Sequence, residues 1–143
     1  MARVLVVDDN PLNANLAKLQ LQRAGHAVET APGAQALAQA IDGRRFHVNL
    51  IPVNRIEGAP FDVVVTDISM PGMSGIDLLD AIRANTAHAE LRVVAHTAFA
   101  MPAQQSQFLR AGFDAIVVKP STRDQLVGAI EVALGPRSRA PAP

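Results

Sequence analysis

Apolar residues in this chain fall in short dense runs, and each run stops at a polar residue. Arg3-Val4-Leu5-Val6-Val7 stops at Asp8-Asp9, and Phe61-Asp62-Val63-Val64-Val65-Thr66 stops at Asp67. Leu91-Arg92-Val93-Val94-Ala95 ends before Thr97, and Ala115-Ile116-Val117-Val118 ends at Lys119-Pro120. Runs apolar on successive rather than alternate positions predict strands covered on both faces. A weaker run around Val28-Glu29-Thr30 predicts one more strand. Between the runs lie helical stretches. Asn10 as N-cap and Pro11 in the first turn predict a helix to about Ala24, closed by Gly25. Further helices are predicted over 33–41, about Ile76–Ala84, about Pro102–Ala111 before Gly112, and about Arg123–Leu134. Five βα units in succession, with right-handed crossovers, give an α/β fold: a parallel five-stranded sheet with helices on both faces.

Two stretches break the rhythm. Residues 42–60 separate the second helix from the third strand, where ~2–6 residues are usual. Phe46, Val48 and Leu50 alternate there as an extended segment would, which predicts an added hairpin or arm. The plainer alternative is a longer second helix followed by a packed loop. The stretch should lie at the amino end of the third strand, away from the opposite rim. Residues 136–143, rich in proline and arginine, read as a disordered tail after a domain spanning 1–135. On the first helix Leu12, Leu16 and Leu19 form one stripe, expected to pack on the sheet. Ala14, Ala17, Leu21 and Ala24 lie nearly opposite, for contact with a neighbouring helix or a helical partner.

Composition narrows the function classes. Of 143 residues 49% are apolar and 18% charged, enough for a core and wrong for a disordered chain. Thirteen acids balance thirteen bases, so neither nucleic acid nor an anionic membrane is expected as a partner. The absence of cysteine excludes thiolate chemistry. No apolar run reaches the ~20 residues of a membrane span, and no signal peptide precedes the first strand. The expected location is the cytoplasm.

In open α/β sheets ligands bind beyond the carboxyl ends of the strands. Asp8 and Asp9, Asp67, Thr97 and Lys119 all fall at such ends. Three crowded carboxylates raise one another's pKa values unless cations neutralise them. Lys119 is one cation, and an all-oxygen set suits Mg²⁺ as the second. Each residue taken alone has a plainer reading. Asp8 and Asp9 could cap the helix, Asp67 could serve a turn, Thr97 could be a hydroxyl approaching a helix, and Lys119 could be solvated. Their common rim favours one site. His26, His47, His88 and His96 lack metal-ligand spacing, and His96, beside the site, is a candidate for local tuning only.

Val6-Val7-Asp8-Asp9-Asn10, Thr66 to Gly75 (TDISMPGMSG), His96-Thr97-Ala98 and Val118-Lys119-Pro120 resemble the response-regulator receiver domains of two-component signalling. The resemblance covers about Arg3 to Leu134. It implies a flavodoxin-like (βα)5 fold with strand order 2-1-3-4-5. It also implies that Asp67 accepts a phosphoryl group from a sensor histidine kinase or a histidine phosphotransfer domain. Asp9, Asp67 and the backbone carbonyl of Ser69 would ligate Mg²⁺, with Asp8 acting through water. Lys119 would neutralise charge, Thr97 would bond a phosphoryl oxygen, and small Ala98 would leave the donor room. The Lys119–Pro120 peptide is implied to be cis. The output is expected to be binding of a downstream protein, with no enzymatic activity beyond self-phosphorylation and self-dephosphorylation.

One position departs from that family. Three residues before the lysine, where receivers carry a mobile aromatic ring, stands Ile116, which cannot act as that switch. Two residues past the phosphoacceptor and two past the threonine stand Ser69 and Phe99, a pairing that obstructs water without activating it, so slow self-dephosphorylation is expected. Two other settings compete with a single-domain regulator: a receiver cut from a hybrid histidine kinase or larger regulator, and a haloacid-dehalogenase-type phosphatase. The second needs an Asp where Ser69 stands. A nucleotide-binding module would need a glycine-rich turn where Asp8-Asp9-Asn10-Pro11 stands.

Overall fold

The computed structural model describes residues 2–31, 55–56, 59–60, 62–69, 74–84, 91–98 and 101–135. Its elements are β1 (Arg3–Val7), α1 (Pro11–Arg23), β2 (Ala27–Ala31), β3 (Arg55–Ile56), β4 (Ala59–Pro60), β5 (Val63–Thr66), α2 (Gly75–Ala84), β6 (Arg92–Thr97), α3 (Pro102–Ala111), β7 (Ala115–Val118) and α4 (Arg123–Leu134). Five strands form one parallel sheet in the order β2-β1-β5-β6-β7. That is the order 2-1-3-4-5 expected for the five principal strands. β3 and β4 pair antiparallel as a separate two-stranded element, inside the long connection where an added hairpin was expected. The helix expected over 33–41, the extended reading of Phe46, Val48 and Leu50, and the tail 136–143 lie outside the described residues.

Alternation along the buried strands splits the interior in two. Val4, Val6, Val63, Val65, Val94 and Val117 face one side and pack with Ala17 and Leu21 of α1 and Leu126, Ala129 and Ile130 of α4. Leu5, Val7, Val64, Val93 and Ala95 face the other side, with Leu78, Leu79 and Ile82 of α2 and Phe108 and Phe113 around α3. Each fully buried leucine or isoleucine contributes about 1.5–3 kcal/mol, so the sheet is held from both sides. Phe108 and Phe113 meet edge to face, 6.1 Å between centroids.

The orientation of α1 corrects the sequence reading. Ala14, Ala17 and Leu21 are buried, whereas Leu12, Leu16 and Leu19 are 79%, 55% and 51% exposed. Side-chain size misled the assignment: two alanines let the helix axis settle close on the sheet, and Leu21 alone fills the remaining depth. Ala24, grouped with the buried face, is exposed.

Local chemistry fixes the element ends. Asn10 Oδ1 accepts from the amides of Leu12 (2.9 Å) and Asn13 (3.3 Å), capping α1. Thr122 and Gln125 exchange side-chain and backbone hydrogen bonds at 3.1 and 2.9 Å, a capping box for α4. Gly25, at φ +95°, ends α1 in a conformation that L side chains resist. At the amino end of the sheet the buried Asp114 carboxylate accepts from the Val93 amide and the Arg83 guanidinium, both at 3.0 Å. This ties β6, α2 and the turn before β7 together.

Candidate functional site

Strand register builds the site. Val7 pairs with Thr66, Thr66 with Ala95, and Thr97 with Val118. The residues that follow these pairs therefore reach the same rim: Asp8 and Asp9 after β1, Asp67 after β5, Thr97 closing β6, and Lys119 after β7. β6 runs through Thr97 rather than ending before it, and the Thr97 carbonyl accepts from the Lys119 amide at 2.7 Å. Asp67 is anchored by its amide on the Val7 carbonyl (2.9 Å), and Asp8 by its amide on the Ala31 carbonyl (3.1 Å).

One carboxylate oxygen from each of Asp8, Asp9 and Asp67 lies within 4.8 Å of the others. Asp8 is buried, Asp67 is half-buried and Asp9 is exposed. Lys119 Nζ stands 2.9 Å from Asp8 Oδ2 and 3.3 Å from Asp67 Oδ2, a single cation shared by two acids. Burial pushes the Asp67 carboxyl above the usual carboxylate range; Lys119 pulls it down, and Asp8 adds to the upward push. A half-buried carboxylate beside a second one, with only one lysine between them, has a charge deficit that a hard divalent cation would fill. Three oxygen donors within reach of one point fit Mg²⁺.

The approach to Asp67 is shaped by backbone. The Gly75 amide donates to the Ile68 carbonyl at 2.9 Å, folding the loop after Asp67 back on itself. A Cβ on Gly75 would collide with the Asp67 carbonyl, so only glycine lets α2 start this close to the site. Ser69 is exposed, as is Ala98 beside the buried Thr97. The Lys119–Pro120 peptide is cis, as the resemblance implied. Ile116 is partly buried against the α2–α3 side of the core. Phe99 lies outside the described residues.

Beside the rim, α1 and the loop after β7 enclose a groove of about 360 Å³ lined by Leu16, Ala17, Gln20, His96, Ala98 and Pro120, among others. His96 is buried, and its Nε2 lies 3.0 Å from Ser121 Oγ. Burial holds its pKa down at about 4, helped by the positive charge of Lys119 and opposed by Asp8. The Gln20 amide nitrogen reaches the Ser121 carbonyl at 3.4 Å. Sequence reasoning missed Ser121 and Gln20. The available signal was a polar His96 inside an apolar strand, which needs a partner once buried. Among the described residues no helix is long and apolar enough to cross a membrane.

Comparison with known proteins agrees with this geometry. The family model described as "Response regulator receiver domain" matches residues 4–131. The chain is 35% identical over 129 residues to the chemotaxis protein CheY of Pseudomonas aeruginosa, covering 90% of this chain and 93% of that protein. It is also 35% identical over 144 residues to the sensor protein GacS of Pseudomonas syringae pv. syringae, covering 99% of this chain but only 14% of GacS. The structure of the chemotaxis response regulator CheY4 of Vibrio cholerae superimposes with a TM-score of 0.73 at 28% identity, over 94% of this chain and 99% of that one. With the acidic rim, the shared lysine and the strand order all in place, the chain belongs to the response-regulator receiver family.

Proposed function

We propose that Asp67 accepts a phosphoryl group from a phosphohistidine of a sensor histidine kinase or histidine phosphotransfer domain, and that the phosphorylated chain signals by binding a downstream protein. The observation that carries this is Lys119 bridging Asp8 and Asp67 among three converging carboxylates. In the transfer an Asp67 oxygen forms the O–P bond as the donor's P–N bond breaks, and the electron pair leaves with the imidazole nitrogen. Lys119 Nζ, already against Asp67, offsets charge on the incoming phosphoryl oxygens. Thr97, at the end of the neighbouring strand, supplies a hydroxyl for one of those oxygens. Exposed, small Ala98 leaves the approach open.

Asp9, Asp67 and the Ser69 carbonyl would hold Mg²⁺, with Asp8 bonding through water. When bound, the ion supplies charge neutralisation and orientation for the phosphoryl group. Ser69 stands where a haloacid-dehalogenase-type phosphatase needs an Asp, so the reading excludes that chemistry. The domain is taken to span 1–135 with an insertion at 42–60, and the relay to work in the cytoplasm. Its match spans nearly all of CheY and a small part of GacS, and the proposed chemistry is the same in either setting.

Incubation with labelled acetyl phosphate tests the reading. Acid-labile label should appear on the wild type with Mg²⁺, and disappear with a chelator or in Asp67→Asn. Wild-type labelling of Asp67→Asn would move the acceptor elsewhere.

A further inference from the structure

We propose that His96 is a positioning residue for phosphoryl transfer: through Ser121 it holds the Lys119–Pro120–Ser121 loop so that Lys119 stays over Asp8 and Asp67. The proposal rests on the reading of Asp67 as phosphoacceptor.

Side chains on a strand alternate, so His96 and Thr97 of β6 point to opposite faces. Thr97 borders the site, while His96 shares the face of Val94, toward α1 and α4. An apolar residue would fill that face without burying a polar ring. His96 is nevertheless only 8% exposed, with Nε2 3.0 Å from Ser121 Oγ.

The loop needs such a tie. The last backbone bond between β6 and the loop runs from the Lys119 amide to the Thr97 carbonyl, 2.7 Å. Pro120 has no N–H with which to continue the ladder. Beyond that point Ser121 is held by side chains, its hydroxyl by His96 and its carbonyl by Gln20 of α1. Lys119 hangs from this loop on a four-carbon stem with free rotors. Its 2.9 and 3.3 Å contacts with Asp8 and Asp67 depend on where the backbone is fixed. In the proposed transfer small misplacements of a charge-neutralising group are costly in rate. His96 thus acts through Ser121, without touching the reacting atoms.

The test is a mutant cycle on acetyl phosphate labelling at saturating Mg²⁺. His96→Leu and Ser121→Ala should each slow labelling about five-fold, the rate equivalent of one net hydrogen bond. The double variant should be no slower than either single one, and Mg²⁺ should bind no more weakly than to wild type in any of them, since no ligand is touched. His96→Gln, whose amide reaches the same point as Nε2, should recover most of the rate. Ser121 is only partly buried, so Ser121→Ala keeps the test alive if His96→Leu does not fold. Wild-type rates in the single variants, a multiplicative loss in the double variant, or no recovery in His96→Gln would each overturn the proposal while the Asp67 reading stood. A wild type that takes no label overturns both.

Discussion

Lys119 sits closer to Asp8, at 2.9 Å, than to Asp67, the proposed phosphoacceptor, at 3.3 Å. The lysine therefore occupies the same negative field that a divalent ion would enter, and cation and lysine compete for it. In Lys119→Ala that competitor is gone. Mg²⁺ should bind several-fold more tightly than in the wild type, by the Coulomb scale of one nearby unit charge, while acetyl phosphate labelling falls steeply. Calorimetric titration with Mg²⁺ gives the first quantity, and weaker binding in the variant would contradict the shared-cation picture.

The buried imidazole makes stability depend on pH. His96 titrates near 4 in the fold and near 6.5 in the unfolded chain, so the unfolded chain takes up the proton first. Its contribution is complete above about pH 6.5 and is lost as pH falls toward 4, about 3 kcal/mol in all. Lys119 and Asp8 are the charges it feels, and Ser121 is its partner. His26, which accepts the Ala2 amide on Nδ1 at 3.0 Å and whose pKa is also lowered by burial, adds a loss of the same sign. Urea midpoints at pH 7 and pH 4.5 should differ clearly more for the wild type than for His96→Leu.

Gly75→Ala should damage fold and site together. The added methyl group meets the Asp67 carbonyl and the Ile68 backbone rather than a side chain that can turn away. A loss of about 1–3 kcal/mol is expected for such overpacking, with slower labelling of the folded fraction. A variant with unchanged denaturation midpoint and labelling rate would show that α2 can retreat freely.

Leu16, one of the exposed leucines of α1, lines the groove that opens beside Ala98 and Pro120, where on the proposed reading a helical phosphodonor would dock. Leu16→Arg should leave acetyl phosphate labelling intact and reduce phosphotransfer from a phosphohistidine protein by about tenfold or more, a typical loss for a central apolar contact. Equal transfer to wild type and variant would remove α1 from the docking surface. Leu21→Arg is not an informative substitution, because Leu21 is fully buried and a charge there would unfold the chain.

Strand runs, helix caps and the polar strand ends were legible because they depend on local chemistry: β-branched runs, Asn10 before Pro11, Gly25 and Gly112. The shared rim of Asp8, Asp67, Thr97 and Lys119 was legible because chain order and handed crossovers alone bring these strand ends together. The burial of α1 was not, since how closely a helix approaches a sheet depends on what its small residues allow, and Ala14 and Ala17 carry little hydrophobic signal. Ser121 was passed over for a related reason. A serine after Lys-Pro is unremarkable until the strand beside it is known to carry a buried histidine twenty-five residues earlier.

The alanine face of α1 has an evolutionary consequence. By seating the helix on its smallest residues, the fold leaves Leu12, Leu16 and Leu19 outside the stability of the core. Substitutions there come at little thermodynamic cost to the domain. If Leu16→Arg places donor docking on this face, a gene duplicate could drift toward a new phosphodonor here, with the aspartates and Lys119 untouched and the protein folded at every step.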